Sequence, residues 1–138
     1  MGFLIDTCIW VDVERGALGP SDVARYTGDH PVFISPVTIA ELTFGVHMAA
    51  NDDIRNRRLA ALNRLRRKPL LFIDDITADI FGRIAVSLRR AGKHSHHRVQ
   101  DIWLASQAIQ HGYGLLTENR RDFDDIPGLD LTVIDSER

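Results

Sequence analysis

Residues 2–7 read Gly2-Phe3-Leu4-Ile5-Asp6-Thr7, an apolar run closed by a carboxylate and a hydroxyl. Three large apolar side chains in succession, without alternation, fit a short strand covered on both faces, as in a parallel sheet. Asp6 then stands at the carboxyl end of that strand, where open parallel sheets form their sites. Four more runs follow: Val32-Phe33-Ile34-Ser35 ended by Pro36, Leu70-Leu71-Phe72-Ile73 after Pro69, Gly114-Leu115-Leu116-Thr117, and Leu131-Thr132-Val133-Ile134. Between them, apolar spacing near the helical period predicts helices over 8–14, 21–26, 37–49, 52–67, 77–91 and 99–111. Asp52 is placed to cap the fourth, and Gly92 and Gly112 to stop the last two. Strands alternating with helices imply a three-layer α/β/α sandwich around a mainly parallel five-stranded sheet.

The 138 residues fit one domain spanning 1–138, long enough to bury a core without cross-links. A composition of 44% hydrophobic and 26% charged residues argues against disorder. The single Cys8 excludes an intramolecular disulfide and leaves no zinc-finger spacing. No apolar run has transmembrane length, and no secretory core with a cleavage site is present; the expectation is a soluble cytoplasmic protein without a membrane role. The net charge of −2 conceals an asymmetry, because Arg55 to Lys68 holds seven basic residues. A second basic segment runs from Arg89 to Arg98, and the chain from Asp122 onward is mostly acidic. Basic surface around an acidic pocket suits a metal-dependent nuclease; solvated helix faces account for such runs equally well.

Two further acids sit in apolar surroundings like those of Asp6. Glu41 is the single charge in Pro36-Val37-Thr38-Ile39-Ala40-Glu41-Leu42, and Asp101 opens Asp101-Ile102-Trp103-Leu104-Ala105. An ionised carboxylate in such a setting is costly unless something compensates it. Asp6, Glu41 and Asp101 converging at the strand ends would be compensated by a divalent cation, and hard cations such as Mg²⁺ or Mn²⁺ take oxygen ligands without Cys or His. Taken singly, the same residues read as a turn former, a helix-start residue and a solvent-side acid. The stretch Thr117-Glu118-Asn119-Arg120-Arg121-Asp122-Phe123 offers more oxygen donors, and the Thr7 hydroxyl is placed to fix a carboxylate or meet a phosphate. A phosphatase with an aspartate nucleophile wants a second aspartate two residues after the first, and Cys8 stands there. A thiol phosphatase fails as well, because Cys8 is not followed by a phosphate-cradling loop ending in arginine.

Taken together, four motifs in this order resemble the PIN-domain family, and within it the VapC toxins of type II toxin–antitoxin modules. They are Leu4-Ile5-Asp6-Thr7; Ser35 to Leu42 with Gly45; Asp101 to Ala105 with Ala108; and Leu116 to Phe123 with Ile126, Gly128 and Leu129. The resemblance implies a Mg²⁺- or Mn²⁺-dependent endoribonuclease that cuts structured RNA, tRNA or ribosomal RNA, and so inhibits translation. It implies a VapB-type antitoxin that occludes the site and binds operator DNA, and it implies a homodimer. The family's acidic ligands fall on Asp6, Glu41 and Asp101, with Asn119 and Asp122 competing for a fourth position and Thr117 behind them. A contrasting reading is a PIN-like binding subunit, acting in a DNA-bound complex with little cleavage.

The remaining features are secondary. Lys93, His94, His96, His97 and Arg98 are expected to rim the cleft and meet RNA phosphates. Cys8 is expected to be a small buried residue, and Trp10 and Trp103 core or interface residues rather than stacking platforms. Phe44 and Met48 suit either a groove for a partner helix or the core.

Overall fold

The computed structural model describes residues 1–93 and 98–134. The elements run β1 (Phe3–Ile5), α1 (Thr7–Arg15), α2 (Pro20–Thr27), β2 (Val32–Phe33), α3 (Pro36–His47), α4 (Asp52–Leu65), α5 (Asp75–Arg90), α6 (Val99–His111), β3 (Gly114–Thr117) and β4 (Leu131–Val133). All strand pairs are parallel, in the order β2-β1-β3-β4. The chain moves from β1 to one neighbour and later returns to the other side, so β1 and β3 flank the point where the order reverses. That is where doubly wound sheets open a crevice at their carboxyl ends.

The pleat divides each central strand between two cores. Leu4 and Leu115 face Ile84, Leu88, Ile102 and Ala105 of α5 and α6. Their chain neighbours Ile5 and Leu116 face Ile9, Leu18 and Val23 of the α1–α2 side. Each such burial contributes about 1.5–3 kcal/mol, which is why the strands show no alternation in sequence. β1 and β3 approach closely because Gly114 has no side chain; a Cβ there would lie 2.8 Å from Cε1 of Phe3. Local signals set the helix ends. The Ser35 hydroxyl accepts from the Val37 amide at 3.0 Å, and Gly16 and Gly112 close α1 and α6 at φ of 79° and 67°. α3 and α4 pack on each other, with α1 against both, forming a helical wall beside the carboxyl ends of the strands.

One expectation is corrected. The run Leu70 to Ile73 is not a fifth strand: among the described residues it makes one isolated parallel bridge, Ile34 to Leu70. Pro69 contributes no donor, and the Leu71 carbonyl is taken by the side-chain amide of Gln107 at 2.7 Å instead of by a ladder. Phe72 and Ile73 then turn outward and are exposed. No helix among the described residues is long and apolar enough to cross a membrane.

Candidate active site

Asp6 leaves the end of β1 at an extended φ of −63° and ψ of 145°, with its amide held by the Leu116 carbonyl of β3. Its side chain is only 6% exposed. Thr117, the last residue of β3, donates from its hydroxyl to Asp6 Oδ2 at 2.8 Å and accepts from the Asn119 amide at 3.0 Å. The Cys8 thiol, one residue into α1, donates to the same Oδ2 at 3.3 Å. Burial raises the Asp6 pKa, the Thr117 and Cys8 donors pull it back, and the Asp122 charge adds to the rise. Burial, then the Asp6 charge beside it, push the Cys8 thiol up to about 12, so it is a donor and not a nucleophile.

Glu41 reaches the same place from α3. Thr7 Oγ1 lies 3.0 Å from Glu41 Oε1 and 3.0 Å from the buried Thr38 Oγ1. A hydroxyl has one proton, so a Thr7 that donates to the carboxylate receives from Thr38. Burial raises the Glu41 pKa, the Thr7 bond opposes it, and Asp6 adds repulsion. Asp101 sits in the first turn of α6. Its pKa climbs to about 7, first through burial, then through the charges of Asp122 and Asp6, with Arg98 opposing and Glu41 adding a little. Four carboxylates from four elements therefore feel one another across one cleft of about 470 Å³.

At the contested fourth corner, Asn119 and Asp122 both line this cleft. Asp122, in the short 3₁₀ turn Arg120–Asp122, raises the pKa of both Asp6 and Asp101, whereas Asn119 is bonded through its backbone to Thr117. Arg98, expected to rim the cleft, is engaged within the protein. Its guanidinium forks onto Asp125 at 2.8 and 2.9 Å and also donates to the Asp122 carbonyl, tying the start of α6 to the turn that carries Asp122. Lys93 joins the same carboxylate at 2.7 Å. Together they hold the Asp125 pKa well below the usual carboxylate range. His94, His96 and His97 lie outside the described residues.

Glu118, in the stretch expected to offer oxygen donors, lines the cleft, and so do Asp12 and Arg15, whose part sequence reasoning missed. The signal was available for both: Cys8, Asp12 and Arg15 recur at i, i+4 and i+7, one face of α1. Trp10 and Trp103 stand apart from the acids' hydrogen bonds; Trp10 lies under Lys68 Nζ at 5.6 Å and Trp103 against Phe81 at 4.3 Å. Phe44 and Met48 are exposed at 67% and 65%, which removes the core reading for both.

Whether a divalent cation suits these residues is a question of donors and charge. Among the described residues no three His, Cys, Asp or Glu side chains draw close enough to cage an ion by themselves. Mg²⁺ does not require a cage, since it keeps several waters and binds through one or two carboxylates. The donors are hard oxygens, the Cys8 sulfur is committed as a proton donor, and three of the acids hold protons more tightly than they do in water. A site with excess buried negative charge of this kind fits a hard cation.

The PIN domain family model matches residues 3–129. The chain is 31% identical to ribonuclease VapC1 of Rickettsia felis, covering 99% of this chain and 98% of that protein. It is 32% identical to ribonuclease VapC5 of Mycobacterium tuberculosis, over 92% of this chain and 87% of that one. The fold superposes on a chain of VapBC2 from Rickettsia felis, solved bound to a promoter DNA fragment, with a TM-score of 0.84 at 22% identity, covering 98% of this chain and all of that one. The arrangement of acids at the strand ends, the parallel sheet and these matches lead to one conclusion: the chain belongs to the PIN domain family, among relatives named as VapC ribonucleases.

Proposed function

We propose that the protein is a ribonuclease toxin of the VapC type, a metal-dependent endoribonuclease that cuts structured RNA and thereby inhibits translation. The observation that carries this reading is the gathering of Asp6, Glu41, Asp101 and Asp122 around one cleft at the strand ends, where burial first, and then the charges of Asp122 and Asp6, raise the Asp101 pKa to about 7. Such a cluster costs stability and has no structural use on its own, which is the pattern expected of a functional site. Asp6, Asp101 and Glu41 would hold Mg²⁺ or Mn²⁺, and Asp122 rather than Asn119 is our fourth acid, because its charge reaches Asp6 and Asp101. When bound, the cation supplies Lewis acidity at the phosphoryl oxygen and a water of lowered pKa.

The chain's own contributions are specific. Thr117 and Cys8 both donate to one oxygen of Asp6 and fix the carboxylate at the edge of the cleft. Thr7 holds one oxygen of Glu41, and Thr38 in turn positions the Thr7 hydroxyl. Arg98, anchored on Asp125, keeps the Asp122 turn against the start of α6.

The names of the relatives support a VapB-type antitoxin as partner, and the DNA-bound complexes among the structural neighbours support operator binding through that partner. Exposed Phe44 on α3 and Met48 at its C-terminal cap offer it apolar contact. A homodimer in the cytoplasm completes the proposal. Inducing the chain without its partner should arrest growth and leave fragments of tRNA or ribosomal RNA, and Asp6→Ala should abolish both. Growth arrest of equal depth from the Asp6→Ala protein would sink the reading.

A further inference from the structure

We propose that Arg15 is a phosphate-binding residue of the cleft, holding the RNA backbone beside the bond that is cut. The proposal rests on the nuclease reading above and adds to it the group that admits a polyanion to an acidic pocket. The difficulty is electrostatic: a cleft holding Asp6, Glu41, Asp101 and Asp122 repels a phosphodiester at every approach. A bound cation offsets this at the scissile phosphate alone, so the neighbouring phosphate needs a positive group from the chain.

Most nearby basic side chains are already engaged. Arg98 and Lys93 are ion-paired with Asp125, Arg57 with Glu14, and Arg58 donates to the Gly45 carbonyl at 2.7 Å. Arg15 is different. It is the last residue of α1, exposed, on the same helical face as Cys8 and Asp12, and it has no ion pair among the described residues. It is the only cation lining the acid cleft among the described residues. It also lines an adjoining groove of about 230 Å³ between α1, α3 and α4, which shares Thr7 and Glu41 with the cleft. Arg15 thus stands at the junction where a strand leaving the acids would pass. A planar guanidinium fork matches two phosphate oxygens, and an uncommitted one loses no protein contact when it turns to a ligand. A helix C-terminus welcomes any cation, but that preference does not require the side chain to border the cleft.

The test uses the purified full chain, a fluorescein-labelled single-stranded RNA, and Mn²⁺. For Arg15→Gln we expect KM to rise about tenfold, with kcat within about twofold of the parent, because one charged hydrogen-bonded contact is lost. In RNA binding followed by anisotropy, the slope of log Kd against log salt should become shallower by about 0.7, one single-strand phosphate contact. Arg15→Lys should restore the slope and only part of KM, since it keeps the charge without the fork. An unchanged KM and slope would overturn the proposal while leaving cleavage by the parent, and so the nuclease reading, intact. A collapse of kcat at constant KM would also overturn it. If the parent binds RNA with an Arg15-dependent slope yet cuts nothing, this proposal stands and the nuclease reading falls.

Discussion

At the scale of single residues, the site depends on small neutral donors that carry no charge of their own. Asp6 is buried, and its charged form is held by Thr117, Cys8 and the Thr7 amide. Thr117→Val keeps the volume and deletes the donor, so Asp6 should bind its proton more tightly and a divalent cation less tightly. We expect a loss of roughly 1–3 kcal/mol in stability above the Asp6 pKa and about a tenfold fall in Mn²⁺ affinity, read by denaturant titration and calorimetry. Cys8→Ser should be close to neutral by both measures, because the hydroxyl replaces the thiol as donor. Equal losses in the two variants would contradict this division of labour. Sequence alone gave Asp6, Glu41 and Asp101 as candidates but assigned Cys8 to packing. Its bond to Asp6 depends on the turn from β1 into α1, which the residue type does not reveal.

At the scale of elements, the carboxyl ends of β1 and β3, the body of α3 and the first turn of α6 deliver one acid or one anchor each. These elements were legible because their signals are local and agree with one another: unbroken apolar triplets for β1 and β3, Ser35-Pro36 before α3, Gly112 after α6. The run Leu70 to Ile73 has the same composition and is not a strand, because pairing is decided by Gln107 and Pro69. The place of Arg98 was equally illegible, since Asp125 is 27 residues away and their meeting depends on how α6 sits against the 3₁₀ turn. Arg98→Lys should therefore cost about 1–3 kcal/mol and lower turnover, because the fork onto Asp125 and the Asp122 carbonyl is lost. Lys93→Met, at a half-exposed pair, should stay within about 0.5 kcal/mol of the parent. Urea midpoints of the two variants decide the comparison, and a Lys93 effect as large as that of Arg98 would contradict it.

At the scale of the whole molecule, the protein folds around a charge cluster that opposes folding. Asp6, Glu41 and Asp101 all have raised pKa values, so between the ordinary carboxylate range and about 7 the folded chain binds more protons than the unfolded one. Stability of the metal-free protein should accordingly fall as pH rises through that window, the reverse of a paired carboxylate. In EDTA we expect Tm to be higher at about pH 5.5 than at about pH 8 by a few degrees, with Mn²⁺ raising it more at the higher pH. A flat Tm across the window with no response to Mn²⁺ would mean that the acids do not act as one site. The decisive measurement is cleavage of a defined RNA by the purified protein, followed on a denaturing gel with Mn²⁺, with EDTA, and with Asp101→Asn in place of the parent. We expect discrete products with Mn²⁺, none in EDTA, and a rate at least about a hundredfold lower for Asp101→Asn. Cleavage that persists in EDTA, or that Asp101→Asn leaves unchanged, would contradict a metal-dependent nuclease built on these four acids.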